Sequence, residues 1–286
     1  MKILITGATG FIGPYVVKEL LKYNAQQIII ATKNKEFEHE GSCLEYHFLD
    51  LNNLAVDENY FLKLGKPDML FHLAWQGLPN YTSPFHFEEN LFSQYFFLKN
   101  MVANGLKKIV VTGTCFEYGM QQGRLKEDLL TDPQNAYAIA KDTLRKFLFQ
   151  LKNDFSFEFT WIRLFYMYGG GQNKNALFSQ LEAALQRGDK VFNMSGGDQV
   201  RDFLPVEKVA EYVVKIGLSN FYGIINCCSG EPIKIKTLVE NYLKSTNRQI
   251  ELNTGYYPYN TYEPMSFWGN NTKLKNIIND RSNTGI

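Results

Sequence analysis

The chain has 286 residues, enough for one large or two closely packed domains, and 45% of them are hydrophobic, including 22 Phe, so a sizeable core can form. A formal charge of +1 excludes a strongly basic footprint for nucleic acid or an anionic membrane surface, so any anionic ligand must be held by local groups. Cys43, Cys115, Cys227 and Cys228 form no C-x-x-C pair and stand near no histidine at zinc-ligand spacing, which points to free thiols in a reducing compartment and to no metal site.

Lys2 to Thr6 is a short apolar run stopped by glycine, the signature of a buried parallel strand. Because Met1 leads straight into it, there is no room for a signal peptide. No apolar run approaches the ~20 residues of a membrane span, so a cytoplasmic, soluble protein is expected. Tyr15 to Tyr23 carries a helical stripe of Val16, Val17, Leu20 and Leu21. Further strands are expected over Gln27 to Thr32, Tyr46 to Leu49, Met69 to Ala74, Lys108 to Thr112 and Phe159 to Phe165. Helices are expected over Asp57 to Leu64, Phe85 to Asn104 and Ala136 to Lys152. This alternation predicts an α/β fold with right-handed crossovers and a doubly wound parallel sheet of Rossmann type. Beyond Tyr168 the pattern changes to a loop over 169–173, a helix over Ala176 to Arg187, a strand over Val191 to Met194, a helix over Val206 to Gly217 and a strand over Ile224 to Cys227. The tail from Tyr256 to Trp268 reads as irregular. The expected organisation is a cofactor-binding domain over 1–168 and a smaller α/β substrate domain over 169–286, with segments around 203–228 packing back onto the first, and a ligand between them.

Gly7-x-x-Gly10-x-x-Gly13 follows the first strand and opens a helix, the context in which such a loop binds a dinucleotide. Gly7 permits the tight turn, Gly10 a close approach of backbone to pyrophosphate, and Gly13 tight helix–strand packing. The amides of Phe11 and Ile12 would then face the phosphates. At the end of the second strand an acidic residue selects NAD by binding the ribose 2′-hydroxyl. Here the run is Thr32-Lys33-Asn34-Lys35, with no carboxylate before Glu36. A hydroxyl and two ammonium groups suit a 2′-phosphate and favour NADP(H) over NAD(H), unless both lysines are simply solvated. Asp50 and Leu51 are placed to contact the adenine.

Tyr137 and Lys141 lie four apart on a predicted helix and so share a face. An ammonium near a phenol favours its ionised form and so brings a tyrosine toward neutral pH. Thr114, just beyond the fifth strand, could orient a substrate oxygen beside Tyr137, or be no more than a strand-end residue.

With these motifs in this order, the chain resembles the extended short-chain dehydrogenases/reductases that act on nucleotide sugars, relatives of the UDP-galactose 4-epimerases and nucleotide-sugar 4,6-dehydratases. The match includes His72-Leu73-Ala74, Asn90, Thr114 ahead of Tyr118-Gly119, Tyr137 with Lys141, Arg163-Leu164-Phe165, Arg201-Asp202-Phe203-Leu204-Pro205-Val206, and Asn226 before Ser229-Gly230-Glu231. The resemblance implies Thr114 and Tyr137 at the sugar C4 oxygen, Lys141 on the nicotinamide ribose, and Leu73 and Ala74 beside the cofactor. It implies Trp75, Asn90, Cys115, Tyr166 and Arg201 around the substrate, with the Arg201 guanidinium on the diphosphate. The alternative for Arg201 is a surface arginine paired with Asp198 or Asp202. Where the dehydratases carry Asp-Glu, this chain has Cys115-Phe116, which cannot eliminate water. The enzymes that combine C3/C5 epimerisation with reduction use a cysteine where Phe116 stands and a histidine in the later part of the chain, where none follows His86. The 4-epimerases' Asn-Pro is replaced by Tyr166-Met167. The strings 75–85 and 113–119 most resemble dTDP-4-dehydro-6-deoxyglucose reductases of deoxysugar and surface-polysaccharide synthesis. The function implied is NADPH-dependent reduction of a nucleotide-linked 4-keto-6-deoxyhexose, with a 4-epimerase holding NAD tightly as the second reading and a noncatalytic cofactor sensor as the third. The apolar residues all round the helix over 85–104 call for burial. With the helix over 136–152, this implies a homodimer, as in the related enzymes, or else burial within the chain.

Overall fold

The computed structural model describes residues 1–23, 25, 27–34 and 43–279. In the first half, strands and helices alternate: β1 (Lys2–Thr6), α1 (Gly13–Leu20), β2 (Gln27–Thr32), β3 (Leu44–Phe48), α2 (Tyr60–Lys63), β4 (Met69–His72), α3 (Leu91–Ala103), β5 (Lys108–Thr114), β6 (Gly123–Leu125), α4 (Ala136–Leu151), β7 (Glu158–Leu164) and β8 (Tyr166–Tyr168). Then follow α5 (Leu177–Arg187), β9 (Val191–Asn193), β10 (Val200–Pro205), α6 (Val206–Leu218), β11 (Gly223–Cys227), β12 (Pro232–Lys234), α7 (Ile235–Ser245), β13 (Glu251–Asn253), β14 (Phe267–Gly269) and α8 (Thr272–Asn279).

Seven strands form one sheet in the order β3-β2-β1-β4-β5-β7-β11, and every pairing in it is parallel. Strand alternation explains how both faces come to be covered. Leu4, Ile29, Leu70 and Ile109 point to one side, into a core with Phe97, Leu98 and Met101 of α3 and Leu144 and Leu148 of α4. Ile3, Ile5, Ile28, Ile30 and Val110 point to the other, against Val16, Val17 and Leu20 of α1 and Val209 and Val213 of α6. Each such fully buried side chain contributes about 1.5–3 kcal/mol of transfer free energy, which fixes the sheet as a rigid platform. Strand order reverses between β1 and β4, and clefts for ligands open at the carboxyl ends of strands at such a switch point.

The later segments attach in two ways. β11 joins the main sheet beside β7 and α6 packs beneath it, whereas β8, β10 and β12 form a separate three-stranded sheet. A further core gathers Phe178, Leu181, Phe192, Met194, Val239 and Leu243. Several expected bounds shift. The fourth strand stops at His72, because Leu73 and Ala74 turn into the cleft, and the fifth runs on to Thr114. The helix expected from Asp57 is only Tyr60–Lys63, started by the Asn59 side chain on the Leu62 amide at 2.9 Å. The helix expected from Phe85 opens with one π turn over His86–Asn90 before α3. Nor is its surface all buried, since Phe92 is 58% exposed. The irregular tail ends in β14, which pairs with β6.

Candidate active site

The carboxyl edge of the sheet gathers the sequence motifs. Gly7 follows β1 with φ of +78°, and a Cβ there would sit 2.5 Å from the Ala74 amide nitrogen. A Cβ on Gly13 would meet the Gly7 carbonyl at 2.2 Å, and one on the exposed Gly10 would sit 3.3 Å from the same oxygen. The first turn of α1 has no side-chain cap, so its amides stay free to bind an anion. These residues fit the pyrophosphate of a dinucleotide: Gly7, Gly10, Phe11, Ile12 and Gly13 would hold it, with Leu73 and Ala74 as the facing wall. At the end of β2, the Thr32 hydroxyl accepts from the Asn34 amide (3.1 Å) and the Lys33 ammonium donates to Gln76 Oε1 (2.9 Å). Lys35 lies outside the described residues. After β3, Asp50 Oδ1 accepts from the Asn52 amide at 3.1 Å and Leu51 is buried, so only the second oxygen of Asp50 is spare for an adenine.

Thr114, Tyr137 and Lys141 are brought together. Thr114 is the last residue of β5 and begins a single 3₁₀ turn, Cys115–Tyr118; its hydroxyl accepts from the Phe116 amide at 3.3 Å. Asn135 starts α4 by accepting from the Ala138 amide (2.9 Å), which sets Tyr137 in the first turn. The Tyr137 amide donates to the Tyr81 carbonyl at 3.0 Å, hooking the loop after β4 over the site. The phenol meets the Thr114 hydroxyl, and its ring is walled by Trp75, Tyr81 and His86 at centroid distances of 5.9, 5.6 and 5.5 Å. One turn on, Lys141 Nζ donates to the Thr112 carbonyl (2.8 Å) under the face of Trp75 (4.1 Å).

The electrostatics correct one expectation. Tyr137's pKa moves up rather than down: burial dominates, with Tyr81 and Glu117 adding to it and Thr114 opposing. The Lys141 ammonium is turned to the Thr112 carbonyl and the Trp75 face. Burial also draws Lys141 down to about 7, and Glu117 works against that fall. His86 is held neutral by burial; its Nδ1 accepts from Trp75 Nε1 (3.2 Å), leaving Nε2–H for the Asn80 carbonyl (2.7 Å).

Three of the five expected substrate residues, Asn90, Arg201 and Cys115, are buried and engaged elsewhere. Asn90 is fully buried and donates to the Gln76 carbonyl at 2.9 Å while accepting from Gln94; it shapes the loop rather than facing a sugar. Arg201 is neither on the surface nor paired with Asp198 or Asp202. It is 1% exposed and donates through Nη2 to Glu263 (3.0 Å) and through Nη1 to the carbonyls of Val200 (2.9 Å) and Met265 (3.2 Å). Asp202 instead accepts from the amides of Ser229 and Gly230, and Asp198 pairs with Lys234. Cys115 is buried, and burial pushes its thiol well up, so it serves as packing and not as a nucleophile. Trp75 flanks the Tyr137 ring at 5.9 Å, and Tyr166 flanks Phe116 at 6.0 Å. Phe116 meets Tyr81, Tyr166 and Tyr262 edge to face at 5.2, 6.0 and 6.3 Å, an aromatic wall beside the Thr114–Tyr137 pair.

A family model described as the NAD dependent epimerase/dehydratase family matches residues 3–227. The chain belongs to that family. One curated relative of this epimerase/dehydratase, dTDP-6-deoxy-L-talose 4-dehydrogenase (NAD(+)) of Aggregatibacter actinomycetemcomitans, is 32% identical over 94% of this chain and 99% of its own length. Among solved structures, MoeE5 in complex with UDP-glucuronic acid and NAD superposes with a TM-score of 0.82 at 23% identity, covering 97% of this chain and 92% of that one. The UDP-N-acetylglucosamine 4-epimerase from Methanobrevibacter ruminantium M1 superposes equally well, at 22% identity over 96% and 91%. As a member of this family, the protein is an oxidoreductase-type enzyme that uses a nicotinamide cofactor. Sequence reasoning passed over Tyr81, His86, Glu117 and Glu263. Of these only Glu117 left a signal, an acid inside an otherwise apolar turn.

Proposed function

We propose that this protein reduces the C4 keto group of a dTDP-linked 4-keto-6-deoxyhexose, and that the reaction is reversible. The observation that carries this reading is the chemistry beside Thr114 and Tyr137. The wall there is aromatic, built by Phe116, Tyr81, Tyr166 and Tyr262, and the acids behind it are engaged: Glu117 is fully buried on the Thr114 amide, Trp161 and Arg163, and Glu263 is held by Arg201 and the Tyr166 hydroxyl. Proton abstraction from C3 or C5 needs a base at the ring; of the candidates among the described residues, Glu263 is paired with Arg201 and His86 Nδ1 already accepts from Trp75, so neither is free for that role. That leaves transfer at C4 alone. Thr114 holds the oxygen, Tyr137 donates its proton in reduction, and Lys141 binds the nicotinamide ribose; a bound nicotinamide supplies the hydride. Arg201 takes the substrate diphosphate after exchanging Glu263 for it. The likeness to a 6-deoxytalose 4-dehydrogenase supports both the position of the reaction and the 6-deoxy sugar.

For the cofactor, Thr32 and Lys33 with no carboxylate beside them support NADP(H), while the name of that relative supports NAD(H). The segment after residue 168 provides the nucleotide-sugar subsite. Phe92 and Ile139, 58% and 43% exposed on α3 and α4, support a homodimer through those helices. The protein would work in the cytoplasm.

The test is loss of nicotinamide absorbance with purified protein and dTDP-4-keto-6-deoxyglucose, run with NADPH and with NADH, the GDP- and CDP-linked sugars alongside. Consumption is the expected result, and the faster cofactor decides between Lys33 and the relative's preference. No consumption with any sugar, together with NAD retained through purification, would replace the reductase by a 4-epimerase.

A further inference from the structure

Behind Thr114 lies a charged network that neither the sequence motifs nor the reaction requires. Glu117, in the 3₁₀ turn, is 0% exposed. Its Oε1 accepts from the Thr114 amide (2.9 Å) and from Trp161 Nε1 (2.9 Å), and its Oε2 accepts from Arg163 Nε (2.8 Å). Arg145 of α4 lies 3.8 Å from the same oxygen. The glycine before Thr114 makes room for this carboxylate, because a Cβ on Gly113 would sit 2.4 Å from Glu117 Oε1 and 2.1 Å from Trp161 Nε1. Thr114 and Glu117 thus cap the same turn reciprocally, side chain to backbone in both directions.

Resting on the reading of Thr114, Tyr137 and Lys141 as the reacting set, we propose that Glu117 is its positioning residue. The carboxylate fixes the Thr114 backbone from behind, and its charge opposes the desolvation of Lys141. If Glu117 served only to neutralise Arg163, the bond to the Thr114 amide would be incidental. Three cations, Arg163, Arg145 and Lys141, face the region from β7 and α4. Asp142 is occupied by Arg145 (2.6 Å) and Lys146 (2.7 Å). Besides Glu117, the titratable groups facing Lys141 are Tyr137, His72 and His86, and burial keeps both histidines neutral. Glu117 is therefore the anion that opposes the desolvation of Lys141.

The experiment compares Glu117→Gln with the double variant Glu117→Gln/Arg163→Met, which removes both partners of the ion pair and leaves no unpaired buried cation there. Thr114→Val and Tyr137→Phe serve as controls, and circular dichroism verifies the fold. In the double variant kcat for the keto sugar is expected to fall about 100-fold, as for displaced catalytic groups, with KM within about threefold. The alkaline limb of the pH–rate profile of Glu117→Gln, which keeps Arg163, should move down by about one unit, because Lys141 loses its proton more readily without the carboxylate. Glu117→Asp retains the charge and should restore the limb but not the full kcat. A double variant with the native kcat and a Glu117→Gln variant with the native pH profile would together overturn the proposal and leave Glu117 as Arg163's partner alone. Should the double variant not fold, Glu117→Asp decides: a limb that moves down with the charge still present also overturns it. If Thr114→Val and Tyr137→Phe stay active, the assignment of the reacting set fails instead.

Discussion

Replacing Glu263 by glutamine removes one charge from the Arg201 site and little else. Arg201 Nε and Nη2 both reach Glu263 Oε2, at 3.3 and 3.0 Å, and Nε also reaches the Tyr166 hydroxyl at 3.3 Å. The guanidinium rests against the Phe267 ring, 4.5 Å from its centroid. The two side chains are only 1% and 8% exposed, so water cannot replace the lost carboxylate. Removing one partner of a buried pair costs about 3–5 kcal/mol. Because the glutamine oxygen still accepts a hydrogen bond, the lower end applies. At ~2–4 °C per kcal/mol for a chain of this size, the melting temperature should fall by about 6–12 °C. If Arg201 is the diphosphate ligand, dTDP must displace Glu263 in the native protein, whereas in Glu263→Gln it meets an unpaired cation. Charge-assisted bonds are worth about 1.5–3 kcal/mol, so dTDP should bind at least about tenfold more tightly to the variant and raise its melting temperature by more. Differential scanning fluorimetry with and without dTDP measures both. A fall of under 2 °C, or a dTDP response no larger than in the native protein, refutes the displacement. Loss of the response altogether would make Glu263 itself a ligand.

Tyr137→Phe should lower kcat by at least about 100-fold, as expected on losing a proton donor, while dTDP-sugar binding by calorimetry is retained. Lys33→Ala should raise the KM for NADPH about tenfold and leave that for NADH unchanged, since one phosphate–ammonium contact is lost; equal effects would place Lys33 away from the 2′-phosphate. Lys141 is drawn to about 7 in the fold against ~10.4 unfolded, so between these values the unfolded chain binds the extra proton and stability rises with pH. Lys141→Met should therefore stabilise the protein at pH 6, by up to about 4–5 kcal/mol in denaturant titrations, with the gain vanishing toward pH 10. Gly113→Ala should lose activity and melt earlier, since its Cβ would enter the space of Glu117 Oε1 and Trp161 Nε1; a native-like melt would mean the turn can relax.

What the sequence disclosed follows the range of the forces involved. The parallel sheet was legible because buried strands are continuous apolar runs and each is followed by an amphipathic helix, as Lys2–Thr6 and Val16, Val17 and Leu20 illustrate. The short strands β6, β8, β10, β12, β13 and β14 were not. Three to six residues carry no periodicity, and their partners lie far along the chain: Phe267 pairs with Gly123, and Phe203 with Tyr166. The π turn at His86–Asn90 escaped because an apolar stripe cannot distinguish a widened turn from a regular one.

The site divides along the same line. Gly7, Gly10 and Gly13, and Tyr137 with Lys141, stand at fixed local spacings, so local geometry alone puts them on one loop or one helix face. Carboxylates are different: their roles depend on which cation the fold delivers. Glu117 meets Arg163 from 46 residues away, and Glu263 meets Arg201 from 62 away. In the sequence Glu263 looks like an ordinary surface acid, the apolar turn around Glu117 hints at burial but not at its partner, and Arg201 has nearer candidates in Asp198 and Asp202. The fold spends those elsewhere, Asp202 on three backbone amides and Asp198 on Lys234. Buried cations must find an anion or a dipole, and with the local acids taken the distant ones become obligatory. Arg201 can bind a diphosphate only by exchanging one buried anion for another, so binding there should depend on substrate charge more steeply than an exposed arginine would allow.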